Sequence, residues 1–151
     1  MSDTTDLIKL YSKRILALAA SIPHTTPLET PMGSAKKRSP LCGSNIQVAL
    51  NVKDGVVTEF SQDVKACALG QASASVVGSN IIGRTRGEIE TGRDQLFAML
   101  TKDGPVPDAP FDELIVLESA KDYRNRHASI MLAFDTTLVA FDDATTQSQN
   151  A

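Results

Sequence analysis

Tryptophan is absent from the chain, and only 5 % of its residues are aromatic. A protein that held nucleic acid by base stacking would need such platforms. A net charge of −3 supplies no basic field in their place, so nucleic acid is not an expected partner. Long hydrophobic runs are missing too: no window approaches the roughly 18 apolar residues that span a bilayer. Met1 to Asp6 is polar and acidic, with no basic stretch ahead of an apolar core. The expectation is a cytoplasmic protein without membrane contact. Cysteine is scarce, with two in 151 residues. Cys42 and Cys67 are far from the CxxC spacing of zinc ribbons and dithiol redox motifs. In a reducing compartment they read as thiols or ligands rather than a disulfide.

What is present suits one domain with a hydrophobic core, expected over residues 1–142, and a polar, disordered tail over 143–151. Leu7, Ile8, Leu10, Tyr11, Ile15, Leu16 and Leu18 recur at helical spacing, which predicts an amphipathic helix over Asp6 to Ser21, stopped by Pro23. Ile22 to Pro40 holds four prolines and reads as loop or edge strand. Ile46, Val48, Leu50 and Val52 alternate with other residues and predict a half-buried strand over Ile46 to Lys53. Lys53-Asp54-Gly55 supplies a turn into a second strand, Val56 to Phe60, and the pair forms a hairpin. A helix of very small residues is expected from Ala68 to Ile82, with Gly83 as its C-cap. A further helix from Thr85 to Leu100 is expected to break at Gly87 and Gly92. Asp103 to Pro110 reads as loop, Phe111 to Leu117 as a short helix or turn, and His127 to Phe141 as the last helix. Strands followed only by helices define an α+β fold rather than alternating βαβ units.

Three residues invite chemistry. Cys67 heads the small-residue helix, where unsatisfied N–H groups and the helix dipole favour a thiolate, the form that binds metals and attacks sulfur. A buried structural cysteine is the plainer alternative. Cys42, in SPLCGSN, lies on a tight loop entering the first strand of the hairpin, as an exposed thiol or an incidental turn residue. A loop before the first strand and a loop after the second lie at the same end, so Cys42 and Cys67 are able to share a site. His127, in YRNRHASIML, is a candidate imidazole ligand or proton carrier, or a surface or capping residue. His24 has less in its favour. The cluster Lys36-Lys37-Arg38 before Cys42, with Arg124 and Arg126 near His127, is either a solvated face or a group of cations for an anionic cargo or acidic partner.

Taken in order, SPLCGSNIQVALNVKDGVVTEFSQDVKACALGQASASVVGSNIIGRT resembles the U-type iron–sulfur cluster assembly scaffolds, the IscU, SufU and NifU N-terminal-domain family. The likeness runs from about Gly33 to Phe141. In that family a Cys-Gly-Asp leads into a strand hairpin, and a second cysteine opens an Ala/Ser-rich helix that ends in Gly and a basic residue. Cys42-Gly43, Cys67, the run Ala72 to Ser75 and Gly83-Arg84 hold those places. The resemblance implies a three-stranded antiparallel sheet packed against helices, with the cysteines at one exposed end. It implies a non-enzymatic scaffold that takes sulfur from a cysteine desulfurase, gathers iron, builds a [2Fe–2S] cluster and passes it to acceptor proteins. Thiolates suit that cargo as soft, anionic donors.

The chain departs from the pattern twice. Ser44 stands where the family has aspartate, and Ala128 where it has a third cysteine. The implied donor set is therefore Cys42, Cys67 and His127, with Ser44 at the aspartate position. Such a set would hold iron, zinc or a cluster completed from elsewhere, for instance across a homodimer. Two other functions remain open: a zinc-binding or desulfurase-interacting regulator that kept the fold, and a thiol enzyme with Cys67 as nucleophile and His127 as base.

Overall fold

The computed structural model describes residues 13–40 and 43–150. Helix α1 occupies residues 13–19, and the earlier part of the expected Asp6 to Ser21 helix lies outside the described residues. Strands β1 (Gly33–Arg38), β2 (Asn45–Lys53) and β3 (Val56–Lys65) follow. Next come helix α2 (Ala68–Ser79), helix α3 (Arg86–Thr101), a 3₁₀ segment (Asp112–Asp122) and the long helix α4 (Arg124–Asn150). The strands form one antiparallel sheet in the order β1-β2-β3. This is the α+β class expected from the element order and the three-stranded sheet that the family resemblance implies.

Alternation along β2 decides which face is covered. Ile46, Val48 and Leu50 are fully buried, and each such side chain contributes about 1.5–3 kcal/mol by leaving water. Helix α4 lies against β1 and β2 and is flanked by α2 and α3. At its centre, fully buried Phe134 meets Phe111 edge to face at 5.1 Å between ring centroids. Gly92 of α3 leaves the space for both rings, since a Cβ there would lie 2.8 Å from Phe111.

The small residues of α2 have a definite use, because the helix is gripped on two sides. Ser73 Oγ donates to the Ile130 carbonyl of α4 at 2.7 Å. Gln62 Nε2, from β3, donates to the Ala74 carbonyl at 3.2 Å. A Cβ at Gly78 would lie 2.5 Å from that same Gln62 nitrogen. Larger side chains would push α2 off both neighbours.

The structure differs from the sequence expectations at several boundaries. Helix α2 ends at Ser79 with Asn80 as C-cap, and Gly83 instead takes a positive φ of 87° in the turn beyond. Helix α3 is unbroken: Thr85 and Glu88 form a reciprocal capping box, which offsets the low helix propensity of Gly87 and Gly92. Strand β3 continues to Lys65, five residues past the expected end. The expected disordered tail over 143–151 is helical as far as Asn150. The reason is packing: Ala140 and Ala144 are fully buried, and Gly33 of β1 lies so close that a Cβ there would collide with the α4 backbone. Asp143 also accepts the Ser34 main-chain N–H at 3.0 Å.

Candidate cluster-assembly site

The site grows from the end of the sheet where β2 begins and β3 stops. Asn45 pairs with Lys65, so the β1–β2 loop and the β3–α2 junction adjoin. The loop is closed by Ser39 N–H on the Ser44 carbonyl at 2.7 Å and Gly43 N–H on the Ser39 carbonyl at 3.0 Å. Gly43 has a φ of +70° with open space around its Cα, a conformation that glycine takes without strain. Cys42 belongs to this loop and lies outside the described residues.

Cys67 is the N-cap of α2, in extended conformation with φ −67° and ψ 169°. The entry to the helix is fixed by Gln71, whose Nε2 donates to the Ala66 carbonyl at 2.7 Å and whose N–H donates to the Cys67 carbonyl at 2.9 Å. The thiol is partly exposed and lies 3.5 Å from Ser129 Oγ of α4. Ser129 in turn donates to Ser44 Oγ at 2.9 Å. A chain of side chains thus links Cys67, Ser129 and Ser44 across α2, α4 and the start of β2. Ser129 and Ser44 are buried.

Gly70 makes the approach possible, since a Cβ there would lie 2.5 Å from Ser129 Oγ. Neither Ser129 nor Gly70 stood out in the sequence. A serine inside an apolar helical run announces nothing until its partner across the fold is known.

Partial burial works against ionisation of Cys67, yet its thiol titrates below the ordinary range. On ionisation of Cys67 the Ser129 hydroxyl, turned from Ser44 to the sulfur, joins the Gly70 and Leu69 N–H groups and the charge of Arg126, and together they outweigh the burial. The thiol makes no formal capping hydrogen bond, so the two N–H groups act as oriented dipoles at the positive end of α2. A cleft of about 660 Å³ opens beside the sulfur, walled by Ile15, Leu69, Ala120, Tyr123 and Arg126. No carboxylate pairs with Arg126 among the described residues.

His127 sits differently. Its Nε2 is 3.0 Å from the Ala120 carbonyl, and since a carbonyl only accepts, Nε2–H is the donor. The ring lines a separate recess with Arg124, Lys121, Asp122 and Asp103. The structure therefore links Cys67 and Ser44 through Ser129, while His127 lines a different recess from the one beside Cys67. Ala128, which the resemblance sets at the family's third-cysteine position, is exposed. Among the described residues no three His, Cys, Asp or Glu side chains gather as a metal site, and no helix is long and apolar enough to cross a membrane.

A thiolate-favouring N-cap beside a tight loop, on a three-stranded α+β frame, defines a small thiol-presenting domain. No family model matches the chain. The crystal structure of a nitrogen-fixing NifU-like protein (N-terminal part) from Brucella abortus is 42 % identical and superposes with a TM-score of 0.87, covering 90 % of this chain and 94 % of that one. The iron–sulfur cluster assembly scaffold protein IscU of Thermotoga maritima is 27 % identical over 127 residues, 84 % of this chain and 89 % of that protein. The SUF-system protein FiSufU of Fervidobacterium islandicum shares the fold, with a TM-score of 0.78 at 19 % identity over 88 % of this chain and 97 % of that one. The chain belongs to the U-type family of iron–sulfur cluster assembly scaffolds.

Proposed function

We propose that the chain is a non-enzymatic scaffold-like protein of iron–sulfur cluster assembly, which receives iron and sulfur as cargo between Cys42 and Cys67. The observation that carries this reading is the setting of Cys67: an N-cap thiol held by Ser129 and biased toward thiolate, in a fold shared at 42 % identity with a NifU-like protein. Thiolates supply the soft anionic donors that complete the coordination of sulfide-bridged iron.

His127 serves as the third donor once it releases the Ala120 carbonyl. That hydrogen bond is worth about 1 kcal/mol net, which is small beside a metal–imidazole bond. Ser44 acts through its hydrogen bond from Ser129 rather than as a strong ligand, because a neutral hydroxyl is a weak donor to iron. In this reading a cysteine desulfurase supplies sulfur and acceptor proteins take the product, as the family implies. The cargo is a [2Fe–2S] cluster or iron; the relatives named above favour either over zinc.

Anaerobic reconstitution with ferric iron and sulfide tests the reading. Charge-transfer absorption and a Mössbauer doublet are expected from the unaltered chain, with strong loss in Cys42→Ser and Cys67→Ser and partial loss in His127→Ala. Protein that stays colourless throughout would overturn it. Exposed Ala128 favours one second reading, a regulator that binds a desulfurase without accepting sulfur. Desulfurase binding without cluster formation would establish that one. The thiol-enzyme reading finds no base in the geometry, since Cys67 contacts Ser129 and His127 contacts Ala120.

A further inference from the structure

The two edges of the sheet are treated differently. The edge of β3 is occupied: Gln62 N–H donates to the His24 carbonyl at 2.8 Å, Val57 N–H to the Arg84 carbonyl at 3.1 Å, and Gly83 N–H to the Val57 carbonyl at 2.7 Å. The edge of β1 is fastened at Ser34, whose N–H donates to Asp143. Main-chain groups of alternate residues point to opposite sides of an antiparallel strand. Ser39 N–H reaches the Ser44 carbonyl on the β2 side, so odd-numbered residues face β2. Ser34, Lys36 and Arg38 therefore face outward. Among the described residues nothing bonds the outward main chain of Lys36 or Arg38, and an open edge of this kind is a template for another strand.

The side chains at that edge carry one sign. Lys36, Lys37 and Arg38 are all exposed. Cross-strand pairing sets Arg38, Asn45 and Lys65 in one row on one face, and Lys36, Gln47 and Asp63 in the next. Lys37, paired with Ile46, lies on the other face. Among the described residues none of Lys36, Lys37, Arg38 and Lys65 enters an ion pair. Asp63 is the one carboxylate in those two rows. Lysines on an edge discourage self-association, and here three cations of a second copy would face these three. In a chain of net charge −3, an unpaired cationic edge is complementary to an acidic strand.

We propose that the outer edge of β1, from Lys36 to Arg38, docks an extended acidic segment of a protein partner, which adds to the sheet as a fourth strand. Main-chain hydrogen bonds to Lys36 and Arg38 give the register, and the partner's Asp and Glu side chains meet the cations on both faces. The β1–β2 loop that contains Cys42 begins directly after this edge, so the docked partner lies beside the candidate site. A polynucleotide would match the charge and leave the edge N–H and C=O groups without partners.

The test is independent of metal loading and uses the metal-free full chain. A fluorescein-labelled eight-residue peptide of alternating Glu and Thr is titrated by anisotropy. Two further peptides are N-methylated at every second residue, in the two opposite phases. Binding is expected, weakened at least tenfold by the double substitution Lys36→Glu with Arg38→Glu and unchanged by Lys102→Glu at the end of α3. One methylation phase is expected to abolish binding and the other to leave it intact. The proposal is overturned by any of four results: no binding, binding that survives the double substitution, equal effects of the two methylation phases, or equally tight binding of an oligothymidylate.

Discussion

The flank built from α3 and α4 and the end that carries Cys67 use charge in opposite ways. On the flank, arginines are spent inside the chain. Arg86 binds Asp142 and Glu90, and Arg93 binds Asp135 at 2.9 Å and Asp94 at 3.2 Å while lying 5.3 Å from the Phe97 ring centroid. Both guanidinium groups are held above their ordinary titration range by hydrogen bonds to these carboxylates. At the Cys67 end, Lys36, Lys37, Arg38, Lys65 and Arg126 have no carboxylate partner among the described residues. The flank is organised to hold the fold, and the thiol end keeps its charges for something outside the chain.

The sharpest way to break this division is to strike each region at its centre. Phe134→Ala empties the space between α3, α4 and the sheet, and should cost about 3–5 kcal/mol in denaturant unfolding. Cys67→Ala, at the other end, should change stability by less than about 1 kcal/mol while removing most cluster reconstitution. A Cys67→Ala variant as unstable as Phe134→Ala would show that the thiol is a core element and not a presented group.

Gly70→Ala joins the two roles. The added methyl meets Ser129 Oγ at 2.5 Å and Ala66 Cβ at 2.9 Å, both in tightly packed surroundings, so the expected cost is about 1–3 kcal/mol. It should also displace Ser129 from Cys67 and slow cargo loading. Loading as fast as in the unaltered chain would mean that Ser129 does not organise the thiol.

Ser129→Ala removes the hydroxyl and leaves the space. Burial raises the Cys67 thiol's titration, and Ser129 is the strongest of the groups that lower it. Its loss should move that titration upward. The pH profile of Cys67 alkylation by iodoacetamide, followed by peptide mapping to separate it from Cys42, should then shift to higher pH and the rate at pH 7 should fall. The stability cost is on the order of 1 kcal/mol. An unchanged profile would leave the N–H dipoles and Arg126 as the sufficient cause.

Much of the frame was legible because its signals are local. The alternation of Ile46, Val48 and Leu50 announces β2, and the small run after Cys67 announces α2. Strand β1 was harder, since only Gly33 is buried and its other residues are polar or small; it exists by pairing with β2 and resting on α4. The last turns of α4 look like a tail by composition, and they are helical because Ala140 and Ala144 fit against Gly33. Cys67 was readable as the head of a helix. Ser129 was not, because its meaning is a contact with residues 62 and 85 positions away. The last helix is legible around His127 although it opens three residues earlier, at Arg124, whereas the direction of the His127 ring depends on the Ala120 carbonyl of the preceding segment.

The smallest expected effect bears most directly on the charge comparison. Arg93→Ala removes a partly buried ion pair with Asp135 and the contact with Phe97, and should destabilise the chain by about 0.5–1 kcal/mol, less at high salt. Lys37→Ala removes a cation with no partner, and its effect on unfolding should stay within about 0.5 kcal/mol. It should lean toward stabilisation as repulsion from Lys36 and Arg38 is relieved. The same substitution should weaken binding of the acidic peptide, where Arg93→Ala should not. A charge that costs nothing to remove from the folded chain, yet is missed by a partner, is one retained for recognition. If Lys37→Ala instead destabilised the chain as much as Arg93→Ala, the cationic edge would be part of the fold's own support and the contrast between the two regions would fail.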